Sequence, residues 1–182
     1  SYETDKQAGL SHFLEHMSFK GTVRRATSRV ISEELDAIGA VSNAFTSNEY
    51  TGYYAKGNPA HLATFIDVLG DIYLHSTFPE IEIEKEKGVI IEEINMYEDQ
   101  LPQKAGEQLV KLMYPDQPAG RPIIGTKESV SSFTQKDFID YVRTHYHGGN
   151  TVIIVAGPID SVSVKRDVAK AFATSTARKR IK

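Results

Sequence analysis

Two histidines and a glutamate lie within five residues of one another near the start of this 182-residue chain. His12 and His16 are four residues apart, and on an α-helix this spacing leaves two side chains about 40° apart around the axis. Their imidazoles therefore project from the same face and can chelate one ion. Zinc is the expected ion, because it readily accepts nitrogen ligands in tetrahedral geometry.

Glu15 occupies a position that suits a general base. It lies three residues after His12, on the same side of the helix but offset from both histidines. We expect it to contact a zinc-bound water without ligating the metal, and to accept the proton of that water as the water attacks a carbonyl. A helix that only stored or sensed metal would give Glu15 no such role.

A catalytic zinc site needs a third protein ligand and an open position for water. The segment 86–93 offers Glu86, Glu92 and Glu93. On a helix Glu86 and Glu93 are two turns apart and share a face, whereas Glu92 points about 100° away from Glu93. Spacing alone does not choose among these carboxylates, and an acidic helix of this kind is more often a solvated surface.

The composition excludes several classes of protein and site. The absence of cysteine removes disulfides, thiol catalysis and cysteine-ligated zinc. The formal net charge of -3 gives no reason to expect a nucleic-acid partner, and we interpret the basic tail from Arg178 to Lys182 as a solvated helix end. No apolar run approaches the roughly 20 residues that span a bilayer, so we expect no membrane span.

Hydrophobic periodicity predicts the elements that must position these residues. We predict a helix over about 8–20, which carries the histidines, and one over about 80–99, which carries the glutamates. Residues 40–47 and 50–56 predict an antiparallel hairpin, and residues 151–156 a strand. Further helices are predicted at about 28–38, 58–73, 134–145 and 160–173, and an amphipathic stretch follows Pro102 through Met113. The predicted fold class is α+β, a helix-rich domain on a mainly antiparallel sheet.

The stretch from Gly9 to Thr22, GLSHFLEHMSFKGT, closely resembles the signature of the pitrilysin, or M16, family of zinc metallopeptidases. The family pattern also contains a helix of the form E-x-x-V-I-x-x-E, which residues 86–93 match. The resemblance implies one zinc ion per chain. The roles that it implies are zinc ligand for His12, His16 and Glu93, general base for Glu15, and supporting carboxylate in catalysis for Glu86.

The resemblance extends over nearly the whole chain. Residues 43–46 are similar to the edge strand that binds substrate by strand addition in this family, which implies substrate binding by Asn43, Ala44, Phe45 and Thr46. Residues 120–126 look like the family's loop after the ligand helix, and residues 150–157 look like its closing strand. An ordinary turn role for Asn43 and a loop-holding role for Arg121 stay open.

The implied function is a zinc-dependent endopeptidase that hydrolyses bonds of a peptide or unfolded polypeptide. Members of this family close two homologous halves around the substrate. The resemblance implies that residues 1–182 correspond to a single zinc-bearing domain, and the family's strands before the position of Tyr2 are expected to be missing from it. The second half would come from the same polypeptide, another subunit or a second copy. The alternative is a non-catalytic M16-like partner or scaffold subunit, although such members have degenerate zinc motifs. The compartment is undetermined, and we expect a soluble protein of the cytoplasm or a mitochondrial-matrix-like compartment.

Overall fold

The computed structural model of the chain describes residues 3–175, so the basic tail lies outside the described residues. The described part is mostly helical and has one two-stranded antiparallel sheet, which confirms the predicted fold class. Within it, no helix combines the length and the apolar character that crossing a bilayer requires.

The elements follow one another along the chain with short connections. The helices are α1 (Leu10–Ser18), α2 (Ser28–Asp36), α3 (Leu62–Leu74), α4 (Glu80–Asp99), α5 (Leu101–Met113), α6 (Lys127–Ser132), α7 (Gln135–His145) and α8 (Ser161–Ala171). The strands are β1 (Val41–Thr46) and β2 (Thr51–Lys56). Single 3-10 turns occur at Asp5–Gln7, Pro59–His61, Pro118–Gly120 and Gly148–Asn150.

The predicted strand over residues 151–156 is wrong, because these residues form no regular structure. A strand is stabilised by hydrogen bonds to a neighbouring strand, and the sheet of the described part contains β1 and β2 alone. The side chains of Val152 and Ile154 are 83% and 84% exposed. The β-branched composition of this segment therefore indicated a strand that has no partner within residues 3–175.

Helix α6 was not predicted, because its apolar periodicity is too short to detect. Its start does carry a local signal. The Thr126 side chain accepts a hydrogen bond from the backbone of Ser129, and the Ser129 side chain bonds back to the backbone of Thr126. This reciprocal capping box satisfies backbone donors that the first helical turn leaves without partners.

Two compact units divide the chain, and each is built from segments that are separated in sequence. Unit 1 comprises Ser1–Met17, Ala44–Gly52 and Pro79–Gln135, and unit 2 comprises Ser18–Asn43, Tyr53–Phe78 and Lys136–Lys182. Every predicted site residue except Asn43 belongs to unit 1. The expectation of a single domain over residues 1–182 stays a prediction.

Unit 1 fixes α1 by burying its apolar stripe. Four of its side chains are completely buried, namely Leu10, Phe13, Leu14 and Met17. The ring of Phe13 meets the buried ring of Phe133 edge-on, with 6.2 Å between centroids. Burial of such side chains is worth about 1.5–3 kcal/mol each. The opposite face of α1 is left to present its polar residues.

The start of α1 is held by Glu3 and by two glycines. The Glu3 carboxylate accepts hydrogen bonds from the backbone N–H groups of Gly9 (3.0 Å) and Ser11 (2.6 Å). A carboxylate at this end also suits the partial positive charge of a helix N-terminus. Gly9 has φ +90° and Gly125 has φ +82°, and a Cβ on Gly125 would lie 2.5 Å from the carbonyl oxygen of Ala8. Only glycine allows this approach between the two backbones.

Replacing Gly125 by alanine is therefore expected to destabilise the protein. A left-handed conformation costs a residue with a Cβ about 1–2 kcal/mol, and overlap with Ala8 adds to that cost. Gly88, in the middle of α4, has open space where a Cβ would lie, so Gly88→Ala should stabilise by about 0.5–1 kcal/mol. Urea denaturation followed by circular dichroism measures both changes. Equal effects of the two substitutions would contradict this description of Gly125.

Unit 2 combines an apolar core with a buried ionic cluster. The core consists of Ile31, Leu35, Phe65, Val68 and Ile72. The buried guanidinium of Arg25 donates hydrogen bonds to Glu34 (2.6 Å), Asp67 (2.7 Å) and Asp71 (2.8 Å). Asp71 is only 1% exposed. The buried charges of Arg25 and Asp71 thus have oppositely charged partners, which burial requires.

Candidate metal centre

Helix α1 places the two histidines side by side. The imidazole rings of His12 and His16 have centroids 4.7 Å apart. Their side chains are 13% and 22% exposed, so both rings lie at the edge of the buried stripe rather than within it. The four-residue spacing on a helix produces this arrangement, as the sequence predicts.

Helix α4 brings Glu93 to the two rings. The Glu93 Oε2 atom lies 3.8 Å from Nε2 of His12 and 3.8 Å from Nε2 of His16. One ligand atom from each of the three residues falls within 4.8 Å of the others. The exposed Glu92 is not part of this group. Of the three carboxylates that spacing left open, Glu93 is thus the one that lies near Nε2 of both histidines.

The three residues fit a zinc ion. Ligand atoms about 2.1 Å from zinc at tetrahedral angles lie about 3.4 Å apart, close to the 3.8 Å that separates Glu93 Oε2 from Nε2 of each histidine. Burial, aided by the neighbouring His16, lowers the pKa of His12 to about 4, so its imidazole is neutral at pH 7 and can donate a lone pair. Its Nδ1 is buried with no hydrogen-bond partner among the described residues, and its Nε2 is the nitrogen that faces Glu93.

Glu86 contacts His16 at Nδ1, the ring nitrogen that does not face Glu93. Its Oε1 atom lies 2.9 Å from Nδ1 of His16, and its side chain is only 7% exposed. This hydrogen bond directs Nε2 of the same ring towards Glu93. A carboxylate on the far nitrogen of a metal-binding histidine fixes the tautomer and raises the basicity of the ligand. The resemblance suggested a supporting carboxylate at Glu86, and the contact with His16 specifies a way in which it supports the site.

Glu15 is outside the group of three but beside it. Burial raises the pKa of Glu15, and the negative charge of Glu93 adds to that effect, whereas the Thr46 hydrogen bond and His16 oppose it. The Thr46 hydroxyl donates to Glu15 Oε2 at 2.5 Å. A half-buried carboxylate with a raised pKa next to a ligand cluster has the properties of a general acid–base group.

Tyr97 is a neighbour of the site that the sequence did not indicate. It lies one helical turn after Glu93 on α4. Burial raises the pKa of the Tyr97 hydroxyl, and the neighbouring Glu93 carboxylate adds to that effect. Side chains on a helix lean towards its N-terminus, so a residue four positions later covers the earlier one. This spacing is the signal that could have identified Tyr97.

The remaining predicted residues lie on β1 or in a loop. Asn43, Ala44, Phe45 and Thr46 all belong to β1, and both strands of a two-stranded sheet are edge strands. The Arg121 guanidinium contacts the Glu3 carbonyl and, at 2.6 Å, the Asp5 carboxylate. These contacts link the loop that contains Arg121 to the segment before α1.

Comparison with protein families identifies the class of this protein. A family model described as insulinase (peptidase family M16) matches residues 1–127, and one described as the peptidase M16 inactive domain matches residues 132–182. The first match covers well over half of the chain. The chain therefore belongs to peptidase family M16, which confirms the predicted family.

Individual relatives are peptidases by name. The uncharacterised zinc protease YmxG of Bacillus subtilis is 45% identical over 177 residues, which cover 97% of this chain and 43% of that protein. Human mitochondrial-processing peptidase subunit beta is 40% identical over 158 residues, covering 87% of this chain and 32% of that protein. The crystal structure of the periplasmic protease PqqL from Escherichia coli matches with a TM-score of 0.87 at 25% identity, covering 100% of this chain and 21% of that one. The chain thus spans less than half the length of these proteins.

Substitution of Glu93 tests the ligand set. We expect Glu93→Gln to weaken zinc binding strongly, because an amide oxygen carries no negative charge to offset the charge of zinc. Loss of a residue that only hydrogen-bonds to a metal ligand typically costs roughly 10–100-fold in affinity, and we expect the loss at Glu93 to be larger. Glu92→Gln is the matched control and should leave the affinity unchanged. Competition with a chromogenic chelator measures both dissociation constants. A larger loss in the Glu92 variant would mean that the adjacent carboxylate binds the metal.

Proposed function

We propose that this chain is the metal-bearing, catalytic part of a zinc endopeptidase. The observation that carries the proposal is the convergence of His12, His16 and Glu93 beside a carboxylate, Glu15, that is not one of the three. A storage or sensing site needs the ligands but not the additional carboxylate. Membership in a peptidase family supports the same interpretation.

His12 and His16 would hold zinc through Nε2, and Glu93 through a carboxylate oxygen. When bound, zinc supplies Lewis-acid polarisation of a carbonyl and makes water more acidic. Glu86 keeps the His16 ring in the orientation that presents Nε2, through the hydrogen bond at Nδ1. The metal ligands and Glu86 do not move protons in this scheme, so another side chain must carry out the proton transfers of peptide hydrolysis.

Glu15 is the group that we assign to those transfers. Its carboxylate accepts a proton from the attacking water while the water oxygen forms a bond to the scissile carbonyl carbon. It then delivers that proton to the amide nitrogen as the C–N bond breaks, so that an acid and an amine are released. Burial raises the pKa of Glu15, which makes the carboxylate a better base and brings its acidity nearer to that needed for the second step.

The substrate that fits this arrangement is an extended peptide or an unfolded polypeptide. A peptide can add to the edge strand β1 as a further strand, with its backbone beside residues 43–46. Recognition of this kind uses main-chain hydrogen bonds and therefore depends little on sequence. We propose that strand addition at β1 delivers the scissile bond to Glu15 and the metal ligands.

The complete enzyme would contain a second M16-like half. The relatives named above are more than twice as long as the part that this chain matches, and one of them is by name a subunit. The second half would be supplied by the same polypeptide, by another subunit or by a second copy of this chain. A soluble cytoplasmic or matrix-like setting is the expected one for such an assembly.

Glu15→Gln should retain zinc and abolish hydrolysis of an unfolded polypeptide, because the amide cannot accept the proton of water. Removing a general base typically costs about 10²–10⁴ in rate. The measurement is cleavage of a fluorogenic casein by the zinc-loaded protein, with metal content determined on the same sample. A Glu15→Gln variant as active as the parent would remove Glu15 from the mechanism. A zinc-loaded parent that cleaves nothing, even with a second half supplied, would favour the non-catalytic partner or scaffold role.

A further inference from the structure

The Thr46 side chain contacts the proposed general base directly. Its hydroxyl donates to Glu15 Oε2 at 2.5 Å, within the range of strong O–H···O⁻ hydrogen bonds. The same side chain belongs to the strand segment that family resemblance associates with substrate. Thr46 is thus in direct contact with the group that we assign to the proton transfers.

The hydrogen bond to Glu15 determines which of two neighbouring threonines is the donor in the contact between them. Thr46 Oγ1 lies 3.3 Å from Thr51 Oγ1, across the hairpin from β1 to β2. A hydroxyl has one proton, and that of Thr46 is used at Glu15, so Thr51 must be the donor in the contact between the threonines. The result is a directed chain in which Thr51 donates to Thr46 and Thr46 donates to Glu15.

The hairpin keeps this chain in place. The loop between the strands is short, and the backbone N–H of Ser47 donates to the Tyr50 carbonyl at 2.9 Å. The Ser47 hydroxyl donates to the same carbonyl. Thr46 and Thr51 flank this loop as a cross-strand pair, an arrangement that stabilises a hairpin.

Strand geometry separates the Thr46 side chain from its neighbour. Successive side chains of a strand point to opposite faces, so Phe45 faces away from Glu15. Phe45 instead meets the Tyr50 ring edge-on, with centroids 5.6 Å apart. One face of the end of β1 therefore carries the Thr46 contact with Glu15, and the other face carries Phe45.

We propose that Thr46, supported by Thr51, is a positioning residue that holds Oε2 of Glu15 and so leaves Oε1 directed for proton transfer. This inference rests on the proposed function and adds to it the means by which the general base is held. A glutamate side chain has three rotatable bonds, and a hydrogen bond at one oxygen fixes the orientation of the other. Thr46 would then act through Glu15 rather than through a side-chain contact with substrate.

The test measures the affinity of a peptide hydroxamate for the zinc-loaded chain by calorimetry, which requires no turnover. A hydroxamate chelates the metal, and its N–H and O–H groups donate to a neighbouring carboxylate, so its affinity reports the position of Glu15. Thr46→Val should weaken hydroxamate binding by about 10-fold or more, a loss typical of residues that orient a group at a metal site through a hydrogen bond. Thr46→Ser keeps the hydroxyl and should bind the hydroxamate as the wild type does. Thr144→Val is the matched control, since the Thr144 hydroxyl donates to the Asp140 carbonyl on its own helix.

The same substitution in a Glu15→Ala background separates positioning from direct contact. There Thr46→Val should have no further effect, because no carboxylate is left to position. An equal loss of affinity in both backgrounds would overturn the inference, as would wild-type affinity of Thr46→Val. Thr46→Ala replaces the valine variant if thermal melting shows that the added methyl disturbs the fold. A wild-type chain that takes up no zinc would instead overturn the proposed function, and the inference with it.

Discussion

The hydrogen bond between His16 and Glu86 joins two helices that are far apart in the chain. Through it, a buried carboxylate of α4 sets the orientation of an imidazole on α1 at a distance of 2.9 Å. The remaining geometry of the candidate site depends on this contact, because Nε2 of His16 approaches Glu93 only in that ring orientation. The buried stripe of α1 and the glycine contact at its start hold the helix where this hydrogen bond can form.

The cluster of histidines and glutamates contains more acidic groups than positive charges to balance them. Three carboxylates, Glu15, Glu86 and Glu93, surround two histidines, and burial lowers the pKa of His12 so that its ring carries no compensating charge at pH 7. A divalent cation resolves this imbalance by neutralising the carboxylates and satisfying the imidazoles. Thr46 supplies a hydrogen bond to the Glu15 carboxylate without changing the net charge. The centre therefore combines charge that favours a metal with a neutral donor that orients one of its acidic groups.

The local sequence was sufficient to predict the part of the site that lies within about one turn of α1. The spacing of His12 and His16 predicts their common face because helical geometry is fixed, and α1 and α4 are found where periodicity places them. Glu93 could not be chosen over Glu92 by spacing, since the choice depends on where α4 lies relative to α1. The family pattern supplied that long-range information.

The sequence did not predict features that depend on contacts between residues far apart in the chain. Residues 151–156 have strand composition, yet they form no strand because the described residues offer them no neighbour. The Thr46 hydroxyl reaches Glu15 only because the tip of the hairpin packs within unit 1, which no local pattern encodes. The Glu3 carboxylate caps α1 from outside the usual N-cap position and was missed for the same reason.

We expect this chain to bind one zinc ion through the histidines of α1. Elemental analysis of the purified chain after zinc loading and gel filtration, with His16→Ala prepared in parallel, tests this expectation most directly. We predict one zinc per wild-type chain and a loss of zinc in a variant that remains folded by circular dichroism. A folded wild-type chain without zinc, or a His16→Ala variant that retains it, would contradict this expectation.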